Sequence, residues 1–135
     1  MGYTHYYQQG SIPSQALFDN FTYHVSELLE MAWDIDLDIS IEPDYLSING
    51  VGDESHETFI IRRKDLTWDF CKTARKPYDA VITAVLILAR YTFPDFSVSS
   101  DGDWEDWSIG REIFTSVIHL EPTQETVFAK IEVQR

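Results

Sequence analysis

The chain is poor in bases: 10 lysines and arginines face 23 acids, for a formal charge of −13 at pH 7. So negative a surface opposes binding to nucleic acid or to an anionic membrane, and neither is expected as a partner. Cysteine is almost missing. The single thiol, Cys71, excludes a disulfide within the chain. That suits a reducing compartment, and a cytoplasmic location is expected. There is no CxxC or HxxxH pair, so no structural zinc site is expected. A glycine-rich phosphate loop is absent. No apolar run approaches the ~20 residues of a membrane-spanning helix. The longest, residues 81–89, is interrupted by Thr83. The first residues lack a basic stretch followed by an apolar one, so no secretory signal is expected. Gly2 is a weak myristoylation signal, because Tyr3 follows it and no basic patch is nearby. Repeats, low-complexity segments and linkers are not seen.

What remains is a globular composition, 44% hydrophobic and 14% aromatic over 135 residues. A chain of this length is expected to form one domain, residues 1–135, and to bury roughly two-thirds of its unfolded surface. The patterning points to an α+β fold: a mainly antiparallel sheet with two or three helices packed on one face. Residues 2–8 are strand formers, with Tyr3, His5 and Tyr7 on one face and Thr4 and Tyr6 on the other. A first helix is expected over 14–34, capped by Ser11 or Ser14. Residues 34–42 alternate, with Ile35, Leu37, Ile39 and Ile41 inward and Asp36, Asp38 and Ser40 on the wet face. Pro43-Asp44 turns the chain into further strands at 45–51 and 57–63, with Asn49-Gly50 as a hairpin signal between them. From Asp79 the sequence is apolar on nearly all sides, which predicts a buried helix. A short strand at 96–100 and a third helix to about His119 follow. Residues 126–134 alternate and predict a final strand, a C-terminal extension over 120–135 that adds to a sheet edge or pairs with a second copy.

Residues 62–79 invert the charge of the chain. They hold six bases and three acids, a local +3 that leaves −16 for the rest. Lys72, Arg75 and Lys76 precede the buried helix, whose N-terminus is expected to offer unpaired N–H groups to an anion. The plain alternative is a solvated basic edge. Asp101, Asp103 and Glu105 superficially suggest a calcium loop, but the glycine is misplaced and the closing glutamate is missing. Asp101 or Asp103 as a helix cap explains them better. The predicted site is two-sided, with Lys72 and Arg75 facing Asp101 and Trp104 across a cleft. Tyr3, His5, Tyr6, Asn49, His56, Thr73, Lys76, Tyr78, Asp79, Asp103 and Trp107 are candidates to complete it.

Four stretches carry a resemblance: Met1-Gly-Tyr-Thr-His-Tyr6; Ser47-Ile-Asn-Gly-Val-Gly52 with His56-Glu-Thr-Phe59; Asp69-Phe-Cys-Lys-Thr-Ala-Arg-Lys-Pro-Tyr-Asp79; and Ser99-Ser-Asp-Gly-Asp-Trp-Glu-Asp-Trp107. Together they resemble a family of small uncharacterised proteins of bacteriophages and their hosts, over most of residues 1–107. The resemblance implies a phage accessory role in the cytoplasm of an infected cell. In scale and setting the chain also looks similar to phage proteins that sequester nucleotide immune signals, an analogy that assigns no residue.

Three functions follow as expectations. The first is binding of a small anionic or nucleotide-like ligand, with aromatic rings stacking on a base, cations holding phosphate and Asp101 accepting sugar hydroxyls. The second is a small enzyme on a nucleotide-like substrate, with His5 or His56 as base, Asp79, Asp101 or Asp103 orienting it and Arg75 stabilising negative charge. Cys71 is a nucleophile in one version and a small buried hydrophobe in the preferred one. The third is an acidic DNA mimic or inhibitor of a host protein. No cofactor, catalytic residue or metal is assigned.

Overall fold

The computed structural model describes residues 2–129. The α+β class and the antiparallel pairing are as expected, but the strands form two three-stranded sheets rather than one. In the first sheet β1 (Thr4–Gln8) is central, flanked by β5 (Asp69–Lys72) and β6 (Ser97–Ser100). In the second β3 (Tyr45–Gly50) is central, flanked by β2 (Leu37–Glu42) and β4 (Phe59–Arg62). The sheets meet without a ladder. The Glu57 N–H donates to the Lys72 carbonyl at 3.1 Å, and the Tyr7 hydroxyl donates to the Ile60 carbonyl at 2.8 Å. Side chains thus replace part of the pairing that one continuous sheet would need.

Helix α1 (Gln15–Met31) starts at Ser14, whose hydroxyl accepts the Leu17 N–H at 3.1 Å. Phe18, Phe21, Val25 and Leu28 form its buried face at helical spacing. Helix α2 (Asp79–Thr92) is buried without a break from Val81 to Ala89, so it lies between α1 and α3 (Ser108–Ile118) and also touches β6. Leu46, Ile48, Phe59 and Ile61 close the core from the second sheet. Among the described residues, no helix is long and apolar enough to cross a membrane.

Three local expectations fail. Ile39 and Ile41 share the inner face with Ile48 and Leu46, yet they stay 37% and 39% exposed because β2 is an edge strand. The final strand is replaced at its start by helix α4 (Gln124–Val127). Thr123 caps it by accepting the Thr126 N–H at 3.2 Å, and this local bond overrides the alternation. The remainder of that expected strand lies outside the described residues. Asn49 and Gly50 belong to β3 itself, and the chain turns later, through a single 3-10 turn at Gly52–Glu54.

Candidate functional site

The antiparallel register of the first sheet puts His5 opposite both Cys71 and Ser100, and Thr4 opposite Lys72. The start of α2 then brings Asp79 against the same strand. The result is a buried polar row. His5 is fully buried, with Nε2 2.6 Å from Asp79 Oδ1 and Nδ1 2.8 Å from Ser100 Oγ. The Thr73 hydroxyl donates to the same Asp79 oxygen at 2.6 Å.

The partners of Ser100 fix the protons. Its Oγ accepts the Gly102 N–H at 2.9 Å and the Trp107 indole N–H at 3.2 Å. Those two donors use both of its lone pairs, so its own hydroxyl proton points to His5 Nδ1. His5 then carries its proton on Nε2 and donates to Asp79. The order Ser100, His5, Asp79 looks like a nucleophilic relay, but a serine with both lone pairs engaged has none left for attack. The row is a brace. It joins β1, β6, the α2 terminus and the turn before α3, and two rings grip His5 edge-on: Tyr3 at 5.1 Å and Trp107 at 5.2 Å.

Above the brace the backbone is strained. In the turn Thr73-Ala74-Arg75-Lys76, closed by the Lys76 N–H to the Thr73 carbonyl at 3.0 Å, Ala74 has φ 52° and Arg75 φ 57°. Two positive φ angles in succession make a turn that normally uses glycine or asparagine. Here the left-handed region costs about 1–2 kcal/mol for each residue. The surroundings over-determine it. The Thr73 and Ala74 N–H groups both donate to the Tyr3 carbonyl at 3.1 and 3.4 Å, and the Lys76 ammonium donates to the Asp53 carbonyl at 2.8 Å. Strain held this firmly is characteristic of a functional turn.

The turn displays Arg75. Its guanidinium lies 4.0 Å from the centroid of the Tyr3 ring and 3.4 Å from Asp106, with the side chain still 62% exposed. Gly2, Tyr3, Ala74, Arg75 and Asp101 surround an open depression of about 550 Å³. Lys72 borders it, since a Cβ on Gly2 would fall 2.5 Å from the lysine Cε. Asp101 holds the far side by accepting the Thr4 N–H and the Tyr6 hydroxyl, each at 3.1 Å. The Tyr3 hydroxyl is buried with no hydrogen-bond partner among the described residues. Burial first, then the charges of Asp79 and Asp106, push its pKa up to about 12. Ser100 pulls weakly the other way, although its geometry to the phenol falls short of a hydrogen bond.

Arg75 and Asp101 therefore share one depression, with Lys72 at its rim. Trp104 does not join them: it packs edge-on against Phe128 at 5.7 Å, with Arg111 over its ring at 4.6 Å. The expected cradle at the start of α2 is also overturned. The Asp79, Ala80 and Val81 N–H groups donate to the carbonyls of Lys76, Pro77 and Tyr78, because a tight turn runs straight into the helix. Tyr78 and Trp107 are buried core residues, and Tyr78 spends its hydroxyl on the Glu57 carbonyl at 2.6 Å. Thr73 and His5 are buried beneath the depression and offer a ligand no free surface. Asn49 clamps the backbone of His56, whose side chain is exposed on the loop after β3. Neither residue lines the depression.

Asp103 has a capping role. It accepts the Asp106 N–H at 2.9 Å while Asp106 accepts the Asp103 N–H at 2.9 Å, a reciprocal box at the turn leading into α3. The Asp103 backbone bond, with help from Arg75, holds the Asp106 carboxyl below its ordinary pKa against the opposing cost of burial. Cys71 is fully buried, and burial pushes its thiol up to about 12, which fits the small hydrophobe and not an activated thiolate. Among the described residues no group of three or more histidine, cysteine or acidic side chains converges as a metal site. Sequence reasoning missed Ser100, Gly102 and Asp106. Gly102 has a steric reason, because a Cβ there would lie 1.9 Å from the Tyr3 hydroxyl oxygen.

Comparison of the chain with known protein families, with curated proteins and with solved structures finds no match, so the geometry of the site itself carries the functional reading.

Proposed function

We propose that this chain binds a small anionic, nucleotide-like ligand at the Arg75 depression without turning it over. The observation that carries this reading is Arg75 itself: a largely exposed guanidinium presented on a strained left-handed turn at the mouth of an open depression. Arginine presents a planar fork of donors suited to phosphate and carboxylate. Lys72 adds charge at the rim, and Asp101 supplies an acceptor for a sugar hydroxyl. The brace beneath keeps these groups in place, as a preorganised site requires. In the phage setting that the sequence resemblance implies, the protein acts in the host cytoplasm, and holding a nucleotide immune signal there is an anti-defence function.

The Ser100–His5–Asp79 row favours a second reading, a small enzyme on a nucleotide-like substrate. Full burial of His5 and the engaged lone pairs of Ser100 set it second. Native mass spectrometry of protein purified from infected cells, followed by analysis of what is released on unfolding, separates the two. The binding reading expects one unaltered anionic small molecule for each binding site. A chemically altered molecule supports the enzyme. A protein partner with no small molecule overturns both readings and supports a host-protein inhibitor.

A further inference from the structure

The outer face of the first sheet carries an aromatic cluster that the Arg75 depression does not use. Tyr6 stacks on Trp68 at 5.6 Å with an interplanar angle of 21°, and Trp68 meets Phe70 at 5.4 Å. Trp68 and Phe70 remain 56% and 45% exposed. Leaving two large rings in water is unfavourable by the usual measure of apolar burial, so their exposure asks for an occupant. Beside them lies a second depression of about 440 Å³, lined by Tyr6, Trp68, Ser97, Ser99 and Phe128 among others.

One hydrogen bond links the two depressions. Asp101 lines the first and accepts the Tyr6 hydroxyl, while Tyr6 lines the second. Tyr3, at the cationic end, and Tyr6, at the aromatic end, are three residues apart, or about 10 Å along extended chain, and lie on opposite faces, so a ligand that joins them crosses the end of the sheet at Asp101. One end thus offers Arg75 and Lys72, the middle offers a carboxylate, and the other end offers flat rings with serine hydroxyls beside them. That sequence of chemistries matches an anionic group, a sugar and a planar base.

Resting on the anion-binding reading above, we infer that the two depressions form one bipartite site for a nucleoside phosphate. Its phosphate lies at Arg75 and Lys72, its sugar hydroxyls at Asp101, and its base against Trp68. The charge is complementary at one end only, which explains how a chain of −13 accepts a single nucleotide without being a general nucleic-acid binder.

The test is isothermal titration of the full chain with the four nucleoside 5′-monophosphates and with ribose 5-phosphate, which keeps the anion and sugar but lacks the base. At least one nucleotide is expected to bind about tenfold or more tighter than ribose 5-phosphate, the usual worth of one base on an aromatic ring. Trp68→Ala removes that preference and leaves ribose 5-phosphate unchanged, while Trp68→Phe restores most of it. Arg75→Ala weakens both kinds of ligand. If every nucleotide binds only as well as ribose 5-phosphate, or if Trp68→Ala keeps the preference, the aromatic end is overturned and the anion site stands. If Arg75→Ala changes neither ligand, or if nothing binds, the anion reading fails as well.

Discussion

The two sheets have the same size and the same antiparallel order, one central strand between two edges, yet they bury and expose different chemistry. The β2-β3-β4 sheet follows the simple rule of apolar inside and polar outside, with Ile39 and Ile41 on its edge strand as the exceptions. Leu46, Ile48, Phe59 and Ile61 are buried, and Asp38 and Glu42 face water. The β5-β1-β6 sheet breaks that rule on both faces. Its inner face buries His5 and orients Ser100 toward it, and its outer face exposes Phe70 and carries the Tyr6–Trp68 stack. Exceptions to the packing rule cost stability, and their concentration on one sheet is what makes that sheet the candidate for function.

Breaking the inner exception is expected to have the largest effect. His5→Ala removes a buried ring and strands Asp79, Thr73 and Ser100, and urea unfolding should show a loss of about 2–4 kcal/mol. Asp38→Asn on the wet face of β2 should stay within about 0.5 kcal/mol. Gly102→Ala comes next. Its Cβ meets the Tyr3 hydroxyl at 1.9 Å, and about 1–3 kcal/mol of destabilisation is expected from the forced repacking. Tyr3→Phe should relieve part of that clash in the double variant.

The first sheet should also set the alkaline limit. Cys71 and Tyr3 have ordinary pKa values of 9.0 and 10.0, and both are raised to about 12 in the fold, chiefly by burial. As pH rises past 9 the unfolded chain releases these protons before the folded one. The stability tied to them is therefore fully present below pH 9 and falls progressively up to about 12. Tyr7 and Tyr78 are raised as well, so they add to the loss in the same direction. A pH series of urea midpoints checks this, and the combined Cys71→Ala and Tyr3→Phe variant should shift the onset upward. The smallest effect expected on the first sheet is at the strained turn. Ala74→Gly should stabilise by about 0.5–1 kcal/mol, because glycine takes a φ of 52° without steric cost, offset by its freer unfolded state.

Strands β1 and β6 of the first sheet and all three strands of the second were legible in the sequence; β5 and the long-range contacts of the first sheet were not, for a physical reason. Alternation at residues 37–42 and the apolar run from Val81 to Ala89 are local patterns, and local patterns fix elements. The pairing of His5 with Asp79 spans 74 positions, and Ser100 meets His5 across 95. No spacing rule reaches that far. The turn at Ala74 and Arg75 was equally hidden, because a left-handed turn is signalled by glycine or asparagine and here has neither. The basic charge of residues 72–76 was visible, and so was its proximity to α2. The paired state of the helix donors was not, since it depends on the tight turn through Pro77.

The central claim is that the Arg75 turn on the first sheet is an anion site, and it is tested most directly by a ¹H–¹⁵N correlation spectrum of the chain titrated with inorganic pyrophosphate. Saturable shifts confined to the amides of Gly2, Tyr3, residues 72–76 and Asp101 are predicted, and they should vanish in Arg75→Ala. Shifts centred on the β2-β3-β4 sheet, or an unchanged response in that variant, would contradict it.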